Sequence, residues 1–126
     1  MKATVMAALP LMILIASAVG GADKQVTADL LTKGSTGVTG TVQVIQMPKG
    51  GSNLNVRARG LHPGAEYTSQ YYKSSDCSEP AVTLGTFTAD PNGEGGIEGR
   101  IEVDLDEVGS VSVRRGHELQ ACARMH

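Results

Sequence analysis

The chain has 126 residues, of which 40% are hydrophobic and 19% are charged, and its formal net charge is −2. The length predicts a single small domain. The low net charge indicates a folded chain and is not typical of a nucleic-acid-binding protein. With three Tyr, one Phe and no Trp, the chain also lacks the aromatic platforms on which single-stranded nucleic acids stack.

The N-terminal segment has the layout of a secretory signal peptide. Lys2 precedes an apolar block from Val5 to Ala16, and several small residues follow. We predict a signal peptide over residues 1–22, cleaved near residues 18–22. An uncleaved anchor is the alternative, but the block has about a dozen residues, whereas a bilayer span needs about 20. The domain is then residues 23–126 of a secreted or periplasmic protein without a stable membrane span.

Short runs that alternate apolar and polar residues dominate the chain from Val26 onward, which is typical of β-strands. The clearest run is Ile97 to Leu105, where every second residue is charged and the others are apolar or Gly. Residues Leu54 to Arg59 alternate in the same way. The predicted strands are, in chain order, 26–31, 40–47, 54–59, 66–72, 82–88, 97–105, 110–114 and 119–123.

Turn residues separate these segments at short intervals. Pro48 to Gly51 and Pro91 to Gly93 have the composition of tight turns. The oxygen donors of Asp90 to Glu94 also suggest a calcium loop, but such a loop needs more ligands, so a hairpin turn is favoured. Short strands without helical periodicity predict an all-β fold, an antiparallel sandwich or flattened barrel of about eight strands.

The chain has two cysteines, Cys77 and Cys122. In an exported domain an even number of cysteines predicts one disulfide, and two unpaired buried thiols are the alternative. A bridge would close a loop of about 45 residues and stabilise the fold by on the order of 4 kcal/mol in the chain-entropy account.

Three segments of the chain resemble one known family. Gly60 to Gly64 match a Gly-Leu-x-x-Gly turn, Leu84 to Gly93 match a hairpin segment that begins Leu-Gly, and Ala121-Cys122 match a last strand. Together they resemble the Cu/Zn superoxide dismutase family. The resemblance implies a Greek-key β-sandwich and, because Cys77 also matches, a disulfide between the two cysteine positions of that family.

The positions that carry metal chemistry in that family differ in this chain. Two copper-binding histidines of one strand correspond to Ser69 and Tyr71, whose hydroxyl groups are poor copper ligands. A third copper-binding histidine corresponds to Val113 or Arg114, and the arginine that guides superoxide corresponds to Leu119. The long zinc-binding loop has no counterpart in the sequence. The resemblance therefore implies the fold and argues against dismutase activity.

Three histidines, His62, His117 and His126, are the remaining candidate ligands for a metal ion. They are far apart in the sequence, and an imidazole in a turn or at a chain terminus is most often solvated. We therefore predict no cofactor, with copper or zinc bound by these histidines as the alternative.

One predicted strand offers a candidate binding patch. Tyr67 and Tyr71 share one face of this strand, while Thr68, Gln70 and Tyr72 share the other face. If Tyr72 points outward, its apolar ring and polar tip suit a binding surface formed with Thr68 and Gln70. The alternative is that its ring fills the core, where aromatic residues are scarce.

These observations favour an exported, non-catalytic binding or accessory protein. Its partner would be an unidentified protein or an envelope component, and the chain would be a monomer or a homodimer. A divergent copper- or zinc-binding protein with residual superoxide dismutase activity is the alternative, so the sequence leaves open whether the protein is an enzyme and favours that it is not.

Overall fold

The structure, a computed structural model, describes residues 24–126, and the predicted signal peptide lies outside this range. The described chain forms eight β-strands and a one-turn 3-10 helix, η1. The elements are β1 (Gln25–Thr32), β2 (Thr39–Gln46), β3 (Ser52–Arg59), β4 (Glu66–Tyr72), β5 (Ala81–Thr88), β6 (Gly95–Ile101), η1 (Leu105–Glu107), β7 (Ser110–Arg115) and β8 (Glu118–Arg124).

The eight strands form one antiparallel sheet in the order β5-β4-β7-β8-β1-β2-β3-β6. Its edge strands, β5 and β6, are not hydrogen-bonded neighbours, but they pack against each other through side chains. A Cβ atom on Gly85 of β5 would lie 2.7 Å from Cδ1 of Ile97 on β6. The sheet is therefore nearly closed and barrel-like, which confirms the prediction of an all-β fold with eight antiparallel strands.

The interior of the barrel is an aliphatic core with two tyrosines. In β3, Leu54, Val56 and Ala58 are buried while Arg57 and Arg59 are exposed, as their alternation predicts. Other strands of the sheet also turn one face inward, by the same period of two residues. They contribute Leu30, Val42, Val44, Tyr67, Tyr71, Ile101, Val111, Val113, Ala121 and Ala123.

The segment predicted as one strand over 97–105 is shorter in the structure, where β6 ends at Ile101. Ile101 pairs with Ser52, the first residue of β3, so no partner backbone continues the ladder beyond it. The chain then bends and forms η1, although Leu105 is still buried. No helix within residues 24–126 is long and apolar enough to cross a lipid bilayer.

Candidate functional site

A disulfide joins Cys77 to Cys122, with their Cα atoms 6.2 Å apart. This confirms the predicted bridge and excludes the two unpaired thiols. Tyr72 packs against both cysteines and is 1% exposed, and Ala81 and Leu119 border them. These five residues, the disulfide cluster, form a small second core separate from the barrel interior.

Hydrogen bonds tie the loop that carries Cys77 to the beginning of β7. The backbone N–H of Cys77 donates to Oγ of Ser110 at 2.9 Å, and this hydroxyl donates to the Ser74 carbonyl at 2.7 Å. The N–H of Gly109 donates to the Tyr72 carbonyl at 2.8 Å. The loop therefore covers Tyr72 instead of leaving its ring to solvent.

Of the predicted binding patch of Thr68, Gln70 and Tyr72, the tyrosine is buried. Tyr72 faces away from the barrel core, but the loop and the disulfide bury it, so its ring offers no surface to a partner. Thr68 and Gln70 are half-buried on the same face of β4. The sequence placed Tyr72 on the correct face of its strand, but only the folded chain shows that a loop crosses that face.

The Tyr72 hydroxyl is the centre of a polar network on the outer face of β4 and β7. It donates to Oε1 of Gln70 at 3.1 Å and accepts from Nε of Arg114 at 3.1 Å. The Ser112 hydroxyl lies 2.8 Å away and is placed to donate to it. Nε2 of Gln70 also donates to the Thr83 hydroxyl at 3.2 Å. A hydroxyl with three partners is fully satisfied and stabilises the fold.

The positions that correspond to copper ligands in the resembled family serve the core or this network. Ser69 is fully buried, and its hydroxyl donates to the Ser112 carbonyl at 2.9 Å. Tyr71 and Val113 lie in the barrel core. Arg114 is the other residue that could correspond to the third copper ligand. Its side chain donates hydrogen bonds to the Tyr72 hydroxyl and to the His117 carbonyl.

The pKa of Tyr71 is raised above its ordinary value of 10.0, first by burial and second by the nearby negative charge of Glu102. Both effects disfavour the phenolate form, so the phenol stays neutral to a higher pH than that of a free tyrosine. A neutral phenol is a poor ligand for Cu(II).

The three histidines occupy different connections. His62 is exposed between β3 and β4, where its backbone N–H donates to the Tyr67 hydroxyl at 2.8 Å. His117 is exposed in the β7–β8 hairpin at the same end of the barrel. His126 follows β8 at the other end, with Nε2 3.1 Å from the Leu105 carbonyl. Within residues 24–126, no group of three or more His, Cys, Asp or Glu residues is arranged to hold a metal ion.

The segment Asp90 to Glu94 forms a tight turn between β5 and β6, as predicted, although these two strands do not pair as a hairpin. Oδ1 of Asp90 accepts hydrogen bonds from the backbone N–H groups of Asn92 and Glu94, at 2.8 and 2.9 Å. The turn thus uses an oxygen that the calcium interpretation would need as a ligand.

The surface has several concave regions, including a polar one of 410 Å³ around Lys49, Arg100 and Asp104. An apolar pocket of 140 Å³ is lined mainly by Tyr71, Pro80, Val82 and Val103, and an ion pair of 3.9 Å joins Lys73 and Glu107 beside it. A polar groove of 310 Å³ lies over β3 and β6. Its lining residues, called the arginine groove below, are Arg57, Ala58, Arg59, Asp90, Glu94, Gly95 and Gly96.

The arginine groove was not among the predicted sites, although part of its signal is visible in the sequence. Arg57 and Arg59 alternate with buried residues, so their outward direction is predictable. Gly95 and Gly96 come directly before the strand predicted from residue 97, and they begin β6 in the structure. What the sequence does not contain is the pairing of β3 with β6, which brings the two segments together.

No known protein family and no curated protein sequence matches this chain. Its class therefore comes from the structure itself: an all-β domain with one antiparallel, nearly closed, barrel-like sheet and one disulfide.

Proposed function

We propose that this chain is an exported, metal-free domain of the Cu/Zn superoxide dismutase-like type that acts by binding and not by catalysis. Its partner is a protein or an envelope component outside the cell membrane, and the domain presents a rigid sheet surface to it. Residues 1–22 direct export and are removed.

The strand order supports the proposed fold type. Strands β4, β5 and β6 are consecutive, and β7 returns to lie beside β4. This order is similar to the connectivity of a Greek key, except that β5 and β6 are the two edges of the sheet and are not hydrogen-bonded to each other. The bridge between Cys77 and Cys122 joins the two positions at which the resemblance implies a disulfide.

One observation carries the proposal that the domain is not catalytic. The residues at the positions that correspond to copper ligands make contacts within the protein instead. Ser69 donates to a backbone carbonyl, and the rings and methyl groups of Tyr71 and Val113 fill the barrel core. To bind a metal ion, these side chains would have to leave well-packed positions, which costs stability. The same sheet that would hold a metal in an active relative is used here to hold the fold together.

The export proposal rests on the disulfide and on the sequence of the N-terminal segment. A structural disulfide persists in oxidising compartments and is rare in the reducing cytosol. The bridge is also the main covalent support of the loop that covers Tyr72. Such a bridge suits a small domain that functions outside the cytoplasm.

Metal content tests the proposal. The exported, oxidised protein would be incubated with copper and zinc, freed of loosely bound metal and measured by mass spectrometry and in a superoxide dismutase assay. A triple variant, His62→Ala with His117→Ala and His126→Ala, serves as the comparison. We expect far less than one metal ion per chain in both proteins and no dismutase activity.

Three results would overturn the proposal. Near-stoichiometric metal in the parent protein, lost in the triple variant, would assign the chain to divergent copper or zinc proteins. Dismutase activity that depends on added metal would show residual catalysis. Recovery of the chain with its N-terminal segment intact in the cytoplasm would contradict export.

A further inference from the structure

The arginine groove continues into a second concavity along β6. This smaller region of 90 Å³ is lined by Asn55, Arg57, Gly96, Ile97 and Glu98, so it shares Arg57 and Gly96 with the larger groove. The two regions form one trough that crosses the backbone of Gly96. At 310 Å³, the larger part alone has room for about ten water molecules, which is more than a single inorganic ion needs.

The floor of the trough is backbone because no larger residue fits at Gly96. A Cβ atom there would lie 2.2 Å from the carbonyl oxygen of Val56 on β3. Gly96 pairs with Arg57, and Thr41 of β2 pairs with Arg57 on the other side. Across the three strands, this row presents the Thr41 hydroxyl, the Arg57 guanidinium group and no side chain at Gly96. One side of the Arg57 side chain is therefore open.

Both arginines of the trough have side-chain hydrogen-bond donors that are free to bind a ligand. Within the described chain, neither Arg57 nor Arg59 has a carboxylate oxygen within 4.0 Å, and neither side chain makes a hydrogen bond to the protein. By contrast, the Arg100 side chain donates to the Gly50 carbonyl at 3.3 Å. A guanidinium group presents donors in a rigid fork that matches a carboxylate, so Arg57 and Arg59 are suited to hold one.

The opposite wall of the trough is acidic. Asp90, Glu94 and Glu98 line it, and the turn formed by Asp90 fixes the backbone of Glu94. Oε2 of Glu98 accepts a hydrogen bond from Nδ2 of Asn53 at 2.8 Å, which leaves Oε1 for a ligand. Three carboxylates against two guanidinium groups disfavour a polyanion such as a nucleic acid. They favour a ligand with no more than one carboxylate for each arginine and with several hydroxyl donors for the acidic wall.

We propose that this trough binds an acidic saccharide, with the carboxylate of a uronic acid on Arg57 and sugar hydroxyls on Glu94 and Glu98. This inference rests on the proposed binding function and names its site and ligand class. A uronic acid combines one carboxylate with several hydroxyl groups on one ring, which matches the charges of the two walls. An oligosaccharide also suits the trough because its lining extends from Arg59 and Asp90 to Asn55 and Glu98.

Nitrogen–proton correlation NMR with a defined ligand tests the assignment. The oxidised protein would be titrated with digalacturonic acid, and with maltose, glycine and sulfate in separate experiments. We expect saturable shifts with digalacturonic acid at Arg57, Glu94, Gly95 and Gly96. Maltose lacks the carboxylate, and glycine and sulfate lack the hydroxyls, so each should bind at least about tenfold more weakly.

Arg57→Gln and Arg100→Gln form a matched pair of variants on the same face of the sheet. Arg57 is exposed, so its substitution should leave the spectrum of the folded domain intact. We expect Arg57→Gln to weaken binding of digalacturonic acid by about tenfold or more, since it removes a charged hydrogen-bonding fork. Arg100→Gln should bind like the parent protein.

The outcomes separate this inference from the broader proposal. No shifts in the trough, equal binding of maltose, equal binding of sulfate or glycine, or equal loss in both variants would each overturn the saccharide site. Bound copper or zinc would overturn the metal-free proposal and leave the titration result as it stands. A metal-free chain that does not bind the saccharide would leave the proposed function intact and remove only this ligand.

Discussion

The hydroxyl groups of Tyr72 and Ser112 lie 2.8 Å apart on the outer face of the sheet, beneath the loop that carries Cys77. Both residues are buried, although neither belongs to the core inside the barrel. The domain therefore has packed groups on both faces of β4 and β7. The outer group combines a disulfide, an aromatic ring and a hydrogen-bond network.

The first prediction concerns the hydroxyl of Tyr72. The substitution Tyr72→Phe removes this hydroxyl from a mostly buried site. Gln70, Ser112 and Arg114 then each lose a hydrogen-bond partner. We expect the free energy of unfolding, measured with urea, to fall by about 1–3 kcal/mol. The double variant with Ser112→Ala should lose less than the two single losses combined, because both partners of one bond are removed. An unchanged midpoint in Tyr72→Phe would contradict the network.

The second prediction concerns the disulfide. Reduction of the bond between Cys77 and Cys122 frees a loop with a sequence separation of 45 residues. We expect the free energy of unfolding to fall by about 4 kcal/mol, from greater freedom of the unfolded chain. Limited proteolysis should then cut the loop between β4 and β5 before the strands. Equal urea midpoints for the oxidised and reduced forms would contradict this role.

The third prediction concerns acid stability. The side-chain amide of Gln46 donates to Asp104 at 3.0 Å and the N–H of Gly51 donates at 2.9 Å, and these bonds lower the pKa of Asp104 below 3.8. A lowered pKa in the folded state stabilises the fold above the ordinary value, and this contribution is lost as the pH falls through the lowered value. Asp104→Asn should therefore flatten the loss of stability below about pH 4.

The matched control for Asp104 is Asp106→Asn. Asp106 is also exposed, but its side chain makes no hydrogen bond within the described residues. We expect its variant to follow the parent protein as the pH is lowered, in thermal melts monitored by circular dichroism. Identical acid profiles for Asp104→Asn and the parent protein would show that the bonds from Gln46 and Gly51 do not matter.

The fourth prediction concerns alkaline stability. Burial, with a smaller effect of Glu102, raises the pKa of Tyr71 above 10.0. A raised pKa means that the contribution of Tyr71 to stability is complete below pH 10.0 and is lost as the pH rises through the raised value. Tyr71→Phe has no phenol to ionise, so it should retain more stability than the parent protein above that pH. Parallel alkaline denaturation curves would refute the assignment.

Much of the strand pattern could be predicted from local sequence. The alternation of Leu54, Val56 and Ala58 with polar residues gave the buried face of β3, because side chains alternate across a strand. The same rule failed at the end of β6. Residues beyond Ile101 keep the alternating pattern, but β3 has no residue left to pair with them. Pairing partners decide where a strand ends, and they are distant in the sequence.

The surface sites were less predictable for the same reason. Tyr72 lies on the outer face, as its position in the strand implied, but the loop after it folds back and covers it. The arginine groove needs β3 and β6 side by side, and Gly96 must accept the approach of the Val56 carbonyl. A single local segment contains none of these relationships.

By itself, the sequence determined the all-β class, the approximate strands, the inward face of β3 and, through two cysteines in a chain predicted to be exported, the disulfide. These properties depend on the alternation of apolar and polar residues along the chain and on the chemistry of single residues. Both are properties of the local sequence. Only the tertiary structure decided that Tyr72 is buried, that β6 stops at Ile101 and that Arg57 lies open beside Gly96. Each of these depends on which distant segments become neighbours when the sheet curves toward closure.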